Sequence, residues 1–166
     1  QTDSAGEYYA EAMRIYIQLD EHKGQARTFE RLGSLKVKQD HPDQALLFFQ
    51  KGLELCRTHE DGIGALYFLD QIIPLLKARG QVDQILTAYR ESVTRAEKLG
   101  DRERMALGLV GLADVYQRTG KPEEAVPYLA LAHDLYLRLS KPYEAGLIRG
   151  ELEKLGLPPD QSGRPQ

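Results

Sequence analysis

Shifted by 40 residues, this 166-residue sequence falls back on itself, and such self-similarity commits a chain to stacked copies of one supersecondary unit. Three units emerge. The first reads Phe29-x-x-Leu32-Gly33-x-x-Lys36 and then Ala45-x-x-x-Phe49-x-x-Gly52. The second carries Leu69, Ile72, Ile73 and Leu76, then Ile85, Tyr89 and Ser92; the third carries Leu109, Leu112, Ala113 and Tyr116, then Ala125, Leu129 and Ala132. The turns recur as Asp40-His41-Pro42-Asp43, Gly80-Gln81-Val82-Asp83 and Gly120-Lys121-Pro122-Glu123, and Glu21, Asp61 and Asp101 mark the junctions between units.

Within each half-unit, apolar or small residues fall at i, i+3, i+4 and i+7. That is the stripe of an amphipathic helix and does not fit the two-residue alternation of a strand. Each unit is therefore a helix hairpin. Gly80 and Gly120 suit the left-handed position that ends a helix, and Pro42 and Pro122 suit the first turn of the next. The pattern predicts helices over about 4–19, 22–39, 42–58, 62–79, 82–99, 102–119, 122–139 and 142–155. Gly33, Ala45, Ala113 and Ala125 stand where a larger side chain would hold paired helices apart, while Phe49, Tyr89 and Tyr116 fill the spaces between hairpins.

These motifs resemble the tetratricopeptide repeat, in which a helix carrying Trp-x-x-Leu-Gly-x-x-Tyr precedes one carrying Ala-x-x-x-Phe. The third unit matches best, through Leu112-Ala113-Asp114-Val115-Tyr116 and then Gly120-Lys121-Pro122-Glu123-Glu124-Ala125. No unit has the leading tryptophan, Lys36 replaces the tyrosine in the first unit, and Ile73 and Ile85 replace two small residues in the second. The period of 40 exceeds the common one of about 34. It is similar to the longer-helix subclass of kinesin light chains, spindle and polarity adaptors and some bacterial signalling regulators. The resemblance covers residues 4–155 and implies an all-α fold: a right-handed α-α superhelix, or solenoid, of about eight antiparallel helices.

The organisation expected is a second helix of a truncated repeat over 1–20, repeats over 21–60, 61–100 and 101–140, a terminal helix over 141–156 and a flexible tail over 157–166. A start at Gln1 that opens on half a hairpin reads as a piece of something longer.

In the family, the first helices of successive hairpins line a concave groove that holds peptides or helices. Rotating from the packing stripe, the groove-facing positions are Arg27, Glu30, Arg31, Ser34 and Lys38 in the first unit, and Tyr67, Asp70, Gln71, Pro74 and Lys77 in the second. Leu107, Val110, Gly111, Asp114 and Arg118 follow in the third, then Leu147 and Gly150 on the last helix. The groove passes from basic to apolar. Arg27, Arg31 and Lys38 read either as a solvated helix face or as a seat for an acidic or phosphorylated segment. Tyr67, Leu107, Val110 and Leu147 read either as binding anchors or as a face covered by the tail, a neighbouring repeat or a second copy. Glu30, Asp70 and Val110 do not supply the lysine and asparagine with which some family members clamp a terminal carboxylate. Pro74, deep in a helix, reads as a tolerated kink or as a break that frees the Asp70 carbonyl.

Composition closes off other classes. A formal net charge of −3 with interspersed signs argues against a general nucleic-acid binder. The single Cys56 cannot form an internal disulfide and points to a reducing, cytoplasmic setting. No signal-peptide plan or membrane-length apolar run is present. Cys56 and His59 share a turn without a second ligand pair, so no metal or cofactor is expected. His22, His41 and His59 fall near helix ends, and His133 has no nucleophile motif beside it; no catalysis is expected. The function these readings support is a protein–protein interaction scaffold within a larger adaptor or regulatory protein, able to self-associate through exposed repeat ends. The alternative is an internal structural or sensor domain that packs on its own neighbouring domains.

Overall fold

The computed structural model describes residues 2–156, with side chains from Gly6 onward; the expected tail over 157–166 lies outside the described residues. Eight helices and no strand occur among them: α1 (Thr2–Gln18), α2 (His22–Lys38), α3 (Pro42–Thr58), α4 (Gly62–Ala78), α5 (Val82–Leu99), α6 (Arg102–Arg118), α7 (Pro122–Arg138) and α8 (Pro142–Lys154). Seven of the eight helix starts agree with the sequence reading and six of the eight C-terminal ends fall one residue earlier, while α1 starts two residues earlier.

The junctions explain the regularity. A residue with positive φ stands at 20, 40, 60, 80, 100, 120 and 140: Asp20, Asp40, Glu60, Gly80, Gly100, Gly120 and Ser140. At Asp40, the amide bonds back to Val37 O and the next amide, His41 N, reaches Lys36 O at 2.9 Å, which satisfies the last carbonyls of α2. That next residue is already the N-cap of the following helix. A 17-residue helix and a three-residue link thus make one period of 20. The junction acids seen in the sequence are caps: Glu21, Asp61 and Asp101 accept from the amides of Gly24, Gly64 and Arg104. Pro42, Pro122 and Pro142 open their helices, where the missing N–H costs nothing. Inside α4, Pro74 is exposed and the helix runs on through it to Ala78.

The chain divides into two compact units, Gln1–Gly80 and Gln81–Gln166. The boundary falls in the hairpin where Ile73 and Ile85 replace small residues. In the first unit, successive helices α1 to α4 pack in order, as do α5 to α8 in the second. Close approach in the first unit comes from glycines beneath rings. A Cβ on Gly33 would lie 2.6 Å from Phe49 Cδ1, and one on Gly52 would lie 2.7 Å from Phe68 Cε2. Phe49, 1% exposed, therefore closes its own hairpin through Gly33 and meets Phe68 of the next at a centroid distance of 6.4 Å. The second unit repeats the device with Tyr89 over Gly111 and adds Tyr116, stacked on Tyr128 and held by Arg90, whose Nη2 donates to the Tyr116 hydroxyl at 2.7 Å. Ala113, Ala125 and Ala132 sit among Leu109, Leu129 and Ile148 in its core.

Candidate functional site

Since α2, α4, α6 and α8 are the first helices of the hairpins, the face each turns away from its packing stripe is the candidate surface. On α2, Arg27, Arg31 and Lys38 are exposed while Gly24, Thr28 and Gly33 are buried, so the cations share the face opposite the packing contacts. On α4, Tyr67 and Gln71 are half-buried and Asp70 is exposed. The structure brings α2 and α4 together on this face at one phenol. Tyr67 stands beside Glu30, Arg31 and Ser34 of α2; burial first, and then Glu30, push the phenol above its usual range, with Arg31 and Ser34 opposing. Tyr67 also meets the neighbouring Phe68 edge-on at 5.6 Å. It is thus half-buried, and less open than the exposed apolar side chain expected there.

On α6 and α8 the equivalent positions are apolar. Leu107 and Leu147, one period apart, are 57% and 55% exposed, on helices that both pack against α7. Val110 is half-buried and packs on the core of the second unit, leaving Leu107 and Leu147 as its exposed leucines on first helices. Gly111 is buried under the Tyr89 ring, so it belongs to packing and not to the surface. Asp114 is taken up by Arg118, Nε to Oδ1 at 2.6 Å.

A second feature escaped the sequence. His22, at the start of α2, and His59, capping α3, stack at a centroid distance of 3.4 Å and line a cavity of about 220 Å³ with Lys23, Cys56 and Asp61 among its walls. Nothing in the spacing of the two histidines signals this, because it depends on how the hairpin closes. No group of three or more His, Cys, Asp or Glu among the described residues is arranged to hold a metal ion. Cys56 is buried, like Ala96 and Tyr136 at the same repeat position.

Antiparallel helix hairpins in a 40-residue register, each leaving one stripe of its first helix uncovered, define an all-α helical repeat of the solenoid class. The chain belongs to the tetratricopeptide repeat family, whose model matches residues 1–58 and 75–138. The gap between the two matches takes in most of α4, where Ile73 and Pro74 depart from the repeat. Among solved structures, BtubC (BKLC) from P. vanneervenii is similar, with a TM-score of 0.66 and 18% identity over 93% of this chain. The chain spans 64% of that protein's length, and at this identity the likeness shows the fold alone. No curated protein matches the sequence. The family is typically a non-enzymatic scaffold, and its repeats generally mediate protein–protein interaction. No helix among the described residues is long and apolar enough to cross a membrane.

Proposed function

We propose that this chain is a protein-interaction scaffold that holds a peptide or helix of a partner against the uncovered stripes of its first helices. The observation that carries the reading is the exposure of Leu107 and Leu147 at one register position on helices whose other stripe is buried in packing. An exposed leucine alone needs no explanation. Two of them one repeat apart, where α2 carries Arg27 and α4 Tyr67, form an apolar row that a partner's side chains can cover. On the first helices of the first unit, Arg27, Arg31, Lys38, Asp70 and Gln71 offer polar contacts of their own, as Asp114 does in the second. The test replaces Leu107 and Leu147 together by aspartate and measures recovery of partner proteins on the immobilised chain, with far-UV circular dichroism confirming the helices. Loss of capture with intact helicity supports the reading; undiminished capture defeats it.

A second reading, in which the array packs on other segments of a larger protein, draws on α1. Tyr8 is 75% exposed and Ile15 lies on the same helical face, whereas the positions one period on, Phe48 and Leu55, are half-covered. An apolar face of that kind suits another helix of the chain or of a second copy. A longer chain whose stability is unchanged by Tyr8→Ser and Ile15→Ser would count against it.

A further inference from the structure

The charge of the first unit is segregated in a way the net charge hides. The chain is formally −3, yet α2 carries Lys23, Arg27, Arg31, Lys36 and Lys38 against the single acid Glu30. Several cations elsewhere sit against acids on their own helix, as in Arg57–Glu54, Arg95–Glu91, Arg118–Asp114 and Arg138–Asp134. On α2 that neutralisation is missing. Lys23, Arg27 and Lys38 are exposed and have no ion-pair partner among the described residues, and Lys36 turns aside to bond Gln39. The one acid of α2, Glu30, is half-buried beside the Tyr67 phenol, whose pKa it raises. On α4, the neighbouring first helix, Asp70 is the single acid and already has a partner.

Spacing then selects the ligand. Lys23, Arg27 and Arg31 are four residues apart, so successive cations rise about 6 Å along α2, and the stripe to Lys38 runs about 22 Å. Alternate side chains of an extended peptide are about 6.6 Å apart, so acids at every second position fall in step with the cations, and about seven residues cover the stripe. We infer that the exposed face of α2 binds an extended protein segment bearing carboxylates at alternate positions, with Arg27 and Arg31 making the charge-assisted hydrogen bonds. This deepens the interaction reading but rests on the first unit, so its failure leaves the test at Leu107 and Leu147 standing.

The probe is a fluorescein-labelled peptide of alternating serine and glutamate, capped at both ends, titrated with the full chain and followed by anisotropy. The expected result is saturable binding that weakens as salt rises from about 0.05 to about 0.3 M, because the contacts are exposed charges. Arg27→Glu with Arg31→Glu lowers affinity by about tenfold or more, a loss near 1.4 kcal/mol or above. The milder Arg27→Gln with Arg31→Gln gives a smaller loss in the same direction. Lys51→Glu with Lys98→Glu makes the same change in net charge away from the stripe, and its effect stays within about twofold. Equal losses from both reversals overturn the proposal in favour of general attraction. Absence of binding to the glutamate peptide, or stronger binding to a phosphoserine peptide or a single-stranded oligonucleotide, overturns it as well.

Discussion

Replacing Gly33 by alanine should weaken the protein when Phe49 is present and strengthen it when Phe49 is gone. The added Cβ would lie 2.6 and 2.8 Å from ring carbons of Phe49, and that ring is 1% exposed and packed near Phe68. Overpacking of this kind costs about 1–3 kcal/mol. A glycine-to-alanine change in a helix returns about 1 kcal/mol. The net effect in the parent is a loss of about 0–2 kcal/mol. Phe49→Ala alone should cost about 3–5 kcal/mol, leaving a weakened fold if the parent has an ordinary stability of about 5–15 kcal/mol. With the ring removed, Gly33→Ala keeps only its helix gain and stabilises by about 1 kcal/mol. The cycle therefore yields a coupling of about 1–3 kcal/mol, read from urea unfolding followed by circular dichroism. If Gly33→Ala shifts the midpoint equally in both backgrounds, ring-over-glycine closure of the first hairpin is wrong.

Two further outcomes concern the junctions and the buried imidazole. A Cβ on Gly100 would meet nothing within 4 Å, so Gly100→Ala should cost about 1 kcal/mol through its positive φ alone, whereas Glu60→Gly should stabilise by about 0.5–1 kcal/mol; thermal midpoints read both. His133 is buried with Nε2 unpartnered, and burial first, then Arg149 from α8, lower its pKa, with Asp134 opposing. A folded-state pKa below the unfolded value of about 6.5 means full stability above that pH and a loss as pH falls through it toward the folded pKa. His133→Leu should flatten this part of the acid limb in melts between about pH 7.5 and 5; an unchanged slope would show that His133 does not contribute.

What the sequence revealed and what it hid follow from where each signal resides. Helix type, spacing and hairpin order are local, and the left-handed turns at Gly80, Gly100 and Gly120 show in the residue chosen. At Asp20, Asp40 and Glu60 the same turn is made by side chains that do not advertise it, and only the 20-residue register gives them away. The recurring Glu21, Asp61 and Asp101 were visible as a pattern, but their work as caps needed coordinates. On the candidate surface, periodicity told which face each residue occupies and not how deeply it sits. Arg27, Arg31, Lys38, Leu107 and Leu147 emerge exposed; Val110 sinks toward the core, Gly111 lies under Tyr89, and Tyr67 is half-buried beside Glu30 of α2. Those differences arise from neighbouring helices far away in sequence. The His22–His59 stack is hidden for the same reason.

The claim that the first helices carry the binding surface is tested most directly by placing a photo-crosslinking side chain at single positions and recovering partners from extract. Leu107 and Leu147 on first helices are matched by Leu131 and Leu137 on α7, which are 42% and 50% exposed. All four are exposed leucines in the second unit, so indiscriminate apolar adhesion would label a partner from each. Adducts to the same partner from positions 107 and 147, with none from 131 and 137, are the predicted result. Equal adducts from all four, or adducts confined to α7, would contradict it.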